Sequence, residues 1–443
     1  MRAFAFNMDD KCDTKIRKFA LQSRLVVFAL QLLFNVLVPD HDPGDVFIPP
    51  PSSRGKENYI DAIISANFAG FQRWDGLYFM HIAEHGYIYE NSLAFFPLFP
   101  WCVRIMANYI LFPLHYIMTY RSILLLAAFL LNLFLFVQAA SLLYALGKKT
   151  IGDKGVAYKA ALLFCINPAS IFMSAPYSET LYTFLIFWGL HQFEKKNIVT
   201  ASAILGFSAL TRSNGLLNAG FQLHLSLKTF LKGMNRLRIE SVDKETAMTG
   251  IFSGIIIFSF PLIFMMLLFL APFVVYQYLI NKQFCTDHHS DVNIPASLRM
   301  YGKIKGYNIV GQTIPTWCNN TLPLSYSHVQ HSHWGVGFLQ YYELKQIPNF
   351  LLALPVTILA VFSIILLLQK EQNNFHYLGI FHGGYIQEDR FSTNSRLWIH
   401  KQKTTTLCVS CHVPTGLWLD VYSYSGFNQN AVLILTSAVL VCS

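Results

Sequence analysis

The feature that most constrains this chain is a series of apolar runs, each about 20 residues long and almost free of charge. The first reads FALQSRLVVFALQLLFNVLV, residues 19–38. A helix of that length crosses roughly 30 Å of hydrocarbon. Lipid offers no partner for a bare N–H or C=O, so such runs close their hydrogen bonds internally, as helices. The expected fold class is an all-α polytopic membrane protein. Hydrophobic residues make up 53% of the chain and charged residues 13%, which excludes an ordinary soluble domain. The net charge of +9 does not point to nucleic acid. Most of the basic residues lie in short clusters between apolar runs, where they bias membrane orientation.

Loop charges set an expected topology. The basic stretch KCDTKIRK, Lys11 to Lys18, precedes the first run. That run is too long for a signal-peptide core, and no small-residue cleavage site follows it, so it reads as a signal anchor with a cytosolic N-terminus. Residues 39–93 hold three basic residues (Arg54, Lys56, Arg73) against eight acids (Asp40, Asp42, Asp45, Glu57, Asp61, Asp75, Glu84, Glu90). The large loop 39–120 is therefore expected on the lumenal side. Within it, 95–114 contains three prolines and Arg104, and reads as a surface helix against the lumenal leaflet. Spans are expected at 121–146, 157–175 and 178–194. Residues 198–227 read as two short legs meeting at TRSNG, Thr211 to Gly215. A rise over 250–279, a lumenal loop at 280–347 and a descent over 349–368 complete the pattern. Every basic cluster up to Lys370 then lies in the cytosol.

The 280–347 loop carries two features that suit a lumen. Asn319 opens an N-x-T glycosylation acceptor with Asn320 and Thr321. Cys285 and Cys318 are the candidate disulfide, which would contribute roughly 3–4 kcal/mol by closing a loop of that size. The alternatives are a sequon met by chance and two free thiols. Cys12, Cys102 and Cys165 suggest no pairing.

The stretch FQRWDGLYFMHIAEHGYIYE, residues 71–90, gathers Asp75, His81, Glu84 and His85 just outside the first span. Taken with AFFPLFP, CINPASIFMSAPYSE, TRSNGLLNAG and WGVGFLQYYELKQIPNFLLALPV, it resembles the PIG-V family, the second mannosyltransferases of glycosylphosphatidylinositol (GPI) assembly. The resemblance runs from about residue 15 to about 370. It implies a multi-span GT-C fold of the endoplasmic reticulum membrane. It also implies a donor substrate, dolichyl-phosphate mannose, with no cofactor, and an acceptor, the mannosyl-glucosaminyl-phosphatidylinositol intermediate, linked α-1,6. A small membrane subunit is a further expected partner.

Transfer from a β-linked phosphate to an α-mannoside inverts the anomeric centre. It needs a base on the acceptor hydroxyl and positive charge at the departing phosphate. Asp75 fits the base, because a carboxylate in low-dielectric surroundings gains basicity. Trp74 beside it would stack on a sugar face. Glu84 is the runner-up, although on a helix it would not share a face cleanly with Asp75. Arg212 in TRSNG is the first choice for the phosphate. A charge at a turn between apolar legs is costly unless it faces a polar site. His81 and His85 are second choices, as substrate contacts. Tyr177, Ser178 and Glu179 in APYSE are further substrate-binding candidates, Glu179 orienting a sugar hydroxyl or pairing with Arg212. The bland readings are a helix N-cap for Asp75, a snorkelling anchor for Arg212, structural histidines, and a helix cap at 177–179.

Two rival readings belong to other classes. HIAEH matches the H-x-x-E-H signature of zinc metallopeptidases, with His81, Glu84 and His85 as its parts. No third ligand is evident, and no metal is expected. A channel or lipid transporter would show charges deep within spans or repeated halves, and neither is seen. The CVSCH match at Cys408–His412, nominally a haem-attachment pattern, stands alone. Zinc held by His400, Cys408, Cys411 and His412 is the other reading of that stretch. The chain thus divides into a membrane domain, 1–370, and a divergent tail, 371–443. The tail is expected to be poorly ordered, with the short apolar end AVLILTSAVLVC, and resembles an alternative or read-through terminus.

Overall fold

Thirty-one residues from Tyr120 to Thr150 form the helix around which the molecule is built. Fifty-six per cent of its most apolar window is buried inside the protein, against 17% for the first helix and 11% for Ser259–Cys285. Central helices bury all sides against protein; peripheral ones keep apolar faces for lipid. The computed structural model describes residues 11–38, 47–48, 50, 58–167, 169–224, 227, 230–231, 244–286 and 294–337, positions scattered between 344 and 365, and strand backbone at 406–412 and 418–424.

In chain order the helices are α1 (Lys11–Leu37), α2 (Tyr59–Phe68), α3 (Asp75–His85), α4 (Leu98–Ile105), α5 (Tyr120–Thr150), α6 (Lys154–Cys165), α7 (Glu179–Glu194), α8 (Ile198–Ser208), α9 (Lys244–Cys285), α10 (Ala296–Ile304) and α11 (Ser325–Trp334). A two-stranded antiparallel hairpin, β1 (Thr406–His412) and β2 (Trp418–Tyr424), lies in the tail and includes CVSCH. Otherwise the tail falls outside the described residues. Among the described residues three helices are long and apolar enough to span: α1, α5 and Ser259–Cys285 of α9. α1 shows lipid-type exposure at Leu25, Leu30, Leu33 and Phe34, and α9 at Phe260, Leu267 and Tyr278.

α5 packs against α1, α6 and α7, and a further layer forms where α7 meets α8 and α8 meets α9. α8 and α9 approach closely at Gly206, where an added Cβ would lie 2.6 Å from the Phe269 carbonyl oxygen. At the foot of α1, Arg17 bonds Asp13 at 2.8 Å, Gln138 at 3.0 Å and Ser141 at 2.8 Å, locking α1 to α5.

One expected span is corrected. Helix was expected through 157–175, but α6 ends at Cys165. Pro168 lacks an N–H and disfavours helix in the residue before it. The chain continues in consecutive turns, with Ser170 N–H bonding the Asn167 carbonyl, Met173 N–H that of Ser170 and Ala175 N–H that of Ile171. A helix end inside a membrane protein leaves carbonyls to be satisfied. Arg24 of α1, 1% exposed, does this. Its guanidinium donates to the Cys165 carbonyl at 3.1 Å, the Ser170 carbonyl at 2.7 Å and the Ser170 hydroxyl at 2.7 Å, and lies 4.0 Å over the Phe136 ring. Removing it would leave buried carbonyls unpaired, at about 1–3 kcal/mol each.

The 95–114 stretch breaks into α4, a π-turn at Met106–Ile110 and a 3-10 turn at Phe112–Tyr116, and none of these pieces is long enough to cross. Arg104 turns inward and donates to the Ala83 carbonyl at 2.7 Å. Trp101, Ile105, Tyr109, Ile110 and Tyr116 face outward. The two legs expected over 198–227 are seen as α8, a break at 209–212, a 3-10 turn at Ser213–Asn218 and helix again from 219. The span expected at 349–368 lies largely outside the described residues.

A cap covers the end of the bundle that carries α3. Glu90, 2% exposed, accepts from the Trp317 indole at 2.8 Å and from the Asn308 amide, with His328 3.6 Å away. Backbone bonds run from Glu90 N–H to the Asn308 carbonyl and from Val310 N–H to that of Ile88. Cys285 and Cys318 are joined, which ties the end of α9 to the turn holding Trp317. The described part of the 280–347 loop is thereby fixed onto the YIYE end of the 71–90 motif.

Candidate active site

α3 begins on a strained turn. Trp74 has φ 48° and ψ −125°, a region that a side chain with a Cβ rarely occupies, at a cost of about 1–3 kcal/mol. Such strain persists only where neighbours enforce it. Here the Tyr177 hydroxyl donates to the Arg73 carbonyl at 3.0 Å, and Gly76 N–H closes on the same carbonyl at 3.1 Å. Gly76 also lets the chain pass close to Pro176 and Tyr177, with 3.2 Å and 3.4 Å left for a Cβ. The result sets the Trp74 indole outward, 72% exposed, directly before Asp75. Asp75 is the first helical residue, and no side chain caps α3, so Asp75 is not the N-cap.

The APYSE segment reaches α3 because α5 holds it. Asn132, fully buried in α5, donates to the Ala175 carbonyl at 2.6 Å and the Tyr177 carbonyl at 3.2 Å. α7 then starts at Glu179, whose carboxylate pairs with Arg212. Arg212 arrives from the turn after α8. That turn requires glycine at 215, where an added Cβ would meet Ala209 backbone at 2.4 Å. Asn218 donates to the Ser208 hydroxyl at 2.8 Å, and Thr211 to the Ser208 carbonyl at 2.5 Å, so the break is bonded on both sides.

Asp75, Glu179 and Arg212 therefore form one electrostatic group, supplied by three separate segments. The Asp75 carboxyl is reachable by solvent but recessed among protein. Desolvation pushes its pKa from 3.8 up to about 6; the Glu179 carboxylate adds to the rise, and the Arg212 guanidinium opposes it. A carboxylate so placed is a stronger base than a free one. Accepting a proton also relieves its repulsion with Glu179. The Glu179 Oε2 atom is buried and has no hydrogen-bond partner among the described residues. The Arg212 side chain keeps 28% exposure.

The other residues singled out in the sequence fall elsewhere. Glu84 lies nine residues beyond Asp75, about 13 Å along the axis and roughly half a turn round it. It sits 3.6 Å from His85 at the far end of α3. His81 is 3% exposed, stacked 5.2 Å from Tyr89 and edge-on to Phe47. Burial pushes its pKa down to about 3, with His85 and Arg121 acting in the same direction. It is neutral at physiological pH and offers no positive charge to a phosphate. Ser178 and Tyr177 are buried beneath the turn, Tyr177 acting on backbone as described. Asn319 is exposed in the cap. Among the described residues no group of three or more His, Cys, Asp or Glu is placed to hold a metal ion, so the peptidase reading finds no support there.

Three positions that hold the surroundings of this site in place were not singled out in the sequence: Arg24 at the end of α6, Glu90 in the cap and Asn132 beneath APYSE. An intramembrane Arg or Asn is itself a signal, since it must find partners.

A family model described as "Mannosyltransferase (PIG-V)" matches residues 13–414, extending past 370, where the resemblance was expected to end. The chain is 38% identical over 356 residues to "GPI alpha-1,6-mannosyltransferase 2" of Mus musculus, covering 80% of this chain and 68% of the relative. It is 36% identical over 355 residues to the protein of the same name from Homo sapiens, with the same coverage. It is 26% identical over 348 residues to "GPI mannosyltransferase 2" of Schizosaccharomyces pombe, covering 78% and 63%. No solved structure matches.

Proposed function

The chain belongs to the PIG-V mannosyltransferase family, and on that premise we propose that it transfers mannose in GPI-anchor synthesis with Asp75 as the base. The donor is dolichyl-phosphate mannose, and the acceptor is the mannosyl-glucosaminyl-phosphatidylinositol intermediate, joined α-1,6. Both substrates are lipid-borne, so the reaction takes place at the membrane surface, on the lumenal side of the endoplasmic reticulum.

The observation that carries this reading is the convergence of Asp75, Glu179 and Arg212 beside an exposed tryptophan. Asp75 removes the proton from the acceptor's 6-hydroxyl as that oxygen attacks C1 of the mannosyl phosphate. The C1–O bond to phosphate breaks, and the electron pair leaves with dolichyl phosphate. The leaving group gains about one negative charge, which Arg212 offsets without reorganising, because Glu179 already holds the guanidinium in place. The proton ends on Asp75. Charge in the group of three falls from −1 to neutral as the phosphate becomes more negative. A small membrane subunit remains a further expected partner.

The test is complementation. Cells lacking this family's activity receive the chain, or Asp75→Ala, and surface GPI-anchored protein is measured. Rescue by the first alone supports the reading. Equal rescue by both removes Asp75 from the chemistry, and rescue by neither overturns the assignment for this chain.

A further inference from the structure

A second tryptophan packs against α3, one turn beyond Asp75. Trp334 is the last residue of α11 and the first of the WGVGFLQYY motif. Its ring lies 6.1 Å from Tyr78 and 6.0 Å from Phe95, edge-on to both, yet 40% of the residue is exposed. Tyr78 is three residues after Asp75, one turn along the same side of α3. Phe47 at 4.1 Å and Phe95 at 4.4 Å clamp the Tyr78 ring from both faces. Trp334 thus rests on an immobilised aromatic base and presents its remaining surface outward.

Its position is also fixed from the chain side. Gly335 adopts φ 60° and returns its N–H to the His331 carbonyl at 3.1 Å, a left-handed cap that ends α11 at the tryptophan. At the other end of α11, the Tyr326 hydroxyl accepts from Ser213, the residue after Arg212, at 3.0 Å. Tyr326 and Trp334 are eight residues apart, about 12 Å of helix. α11 therefore lies across the site, with one end beside Arg212 and the other beside the α3 turn that carries Asp75 and Tyr78.

In an inverting displacement the attacking and leaving oxygens occupy opposite faces of the sugar carbon. Arg212 and Glu179 reach Asp75 from α7 and the turn after α8, whereas Trp334 reaches the same helix at Tyr78. We propose that Trp334 is an acceptor-binding residue, its exposed ring forming a saccharide subsite that stacks on the acceptor headgroup while Trp74 flanks the opposite side of Asp75. The inference rests on the transferase reading above. It adds a binding residue from a loop more than 240 residues downstream of Asp75 in the sequence.

The test uses the full chain in detergent, a short-chain polyprenyl-phosphate mannose and a synthetic mannosyl-glucosaminyl-inositol lipid. Trp334→Ala is expected to raise KM for the acceptor about tenfold, a usual cost of losing a ring contact, while KM for the donor stays within about twofold. Trp334→Phe is expected to retain most of the affinity. Saturation-transfer NMR with the lipid-free headgroup saccharide reads binding without turnover, and its signal should fall in the alanine variant. If Trp334→Ala does not fold, Trp334→Leu against Trp334→Phe decides, since only the latter keeps a ring. An active wild type whose alanine variant keeps its acceptor KM, or loses donor affinity instead, overturns the subsite. Equal behaviour of Leu and Phe does the same. A wild type that transfers no mannose overturns the transferase reading, and the subsite with it.

Discussion

The two ends of α3 carry the same kinds of residue and do different things. Asp75 and Trp74 lie at the N-terminal end; Glu84, His85 and, one turn back, His81 lie toward the C-terminal end. At the first end, two distant segments deliver Glu179 and Arg212, the backbone is strained and the aromatic points outward. At the second, the carboxylate meets its sequence neighbour, the imidazole of His81 stacks inside an aromatic core, and Arg104 closes the Ala83 carbonyl. Acid–base residue types do not make a site. A site needs opposite charge brought from elsewhere and a face left uncovered.

The strongest test of that contrast is the pair Asp75→Asn and Glu84→Gln. The first is expected to lower mannose transfer by about 10²–10⁴-fold, the second by less than about fivefold. Comparable losses in radiolabelled transfer assays would erase the distinction between the ends.

Next in size is Arg212→Ala, expected to lower kcat about 10²–10³-fold as the leaving phosphate loses its counter-charge. Arg212→Lys should recover part of this, because it keeps the charge without the fork that meets Glu179. Full activity in the alanine variant would remove the guanidinium from the mechanism.

The pH dependence is a finer probe. With Asp75 near 6, the base is protonated below that value, so kcat/KM is expected to rise through about pH 6 and then level. The stability effect has the opposite sign. The folded state holds its proton between 3.8 and about 6, where the unfolded state has released it, so stability falls as pH rises across that window. Above it, Asp75→Asn should melt higher than wild type in detergent. A variant that melts lower there would mean the carboxylate is a structural contact.

The smallest expected effect is at His81. A neutral imidazole packed among rings tolerates Phe in its place, so His81→Phe should leave the pH profile unchanged and activity within about threefold. A displaced pH optimum would assign it a proton.

Much of this was legible in the residues. Run length gave helices, loop charge gave an expected orientation, and WDG with TRSNG named Asp75 and Arg212. The end of α6 was harder to read, because apolar residues continue past Cys165 while the helical hydrogen-bond ladder does not. Only the partner in α1, Arg24, makes that ending tolerable. Glu90 was lost in a tally of loop charges. Its role depends on Trp317 and Asn308, more than 200 residues away, which no local pattern reports.

By itself, then, the sequence determined that the chain is a bundle of membrane helices, because segment length and hydropathy act locally and lipid permits few alternatives. It also supplied the residue types for acid–base chemistry near one surface. Tertiary structure alone decided which carboxylate is desolvated beside a second carboxylate and a guanidinium. Basicity comes from desolvation and from charges within a few ångströms, and those depend on which distant turns the packing of α5, α7 and α8 brings against the start of α3.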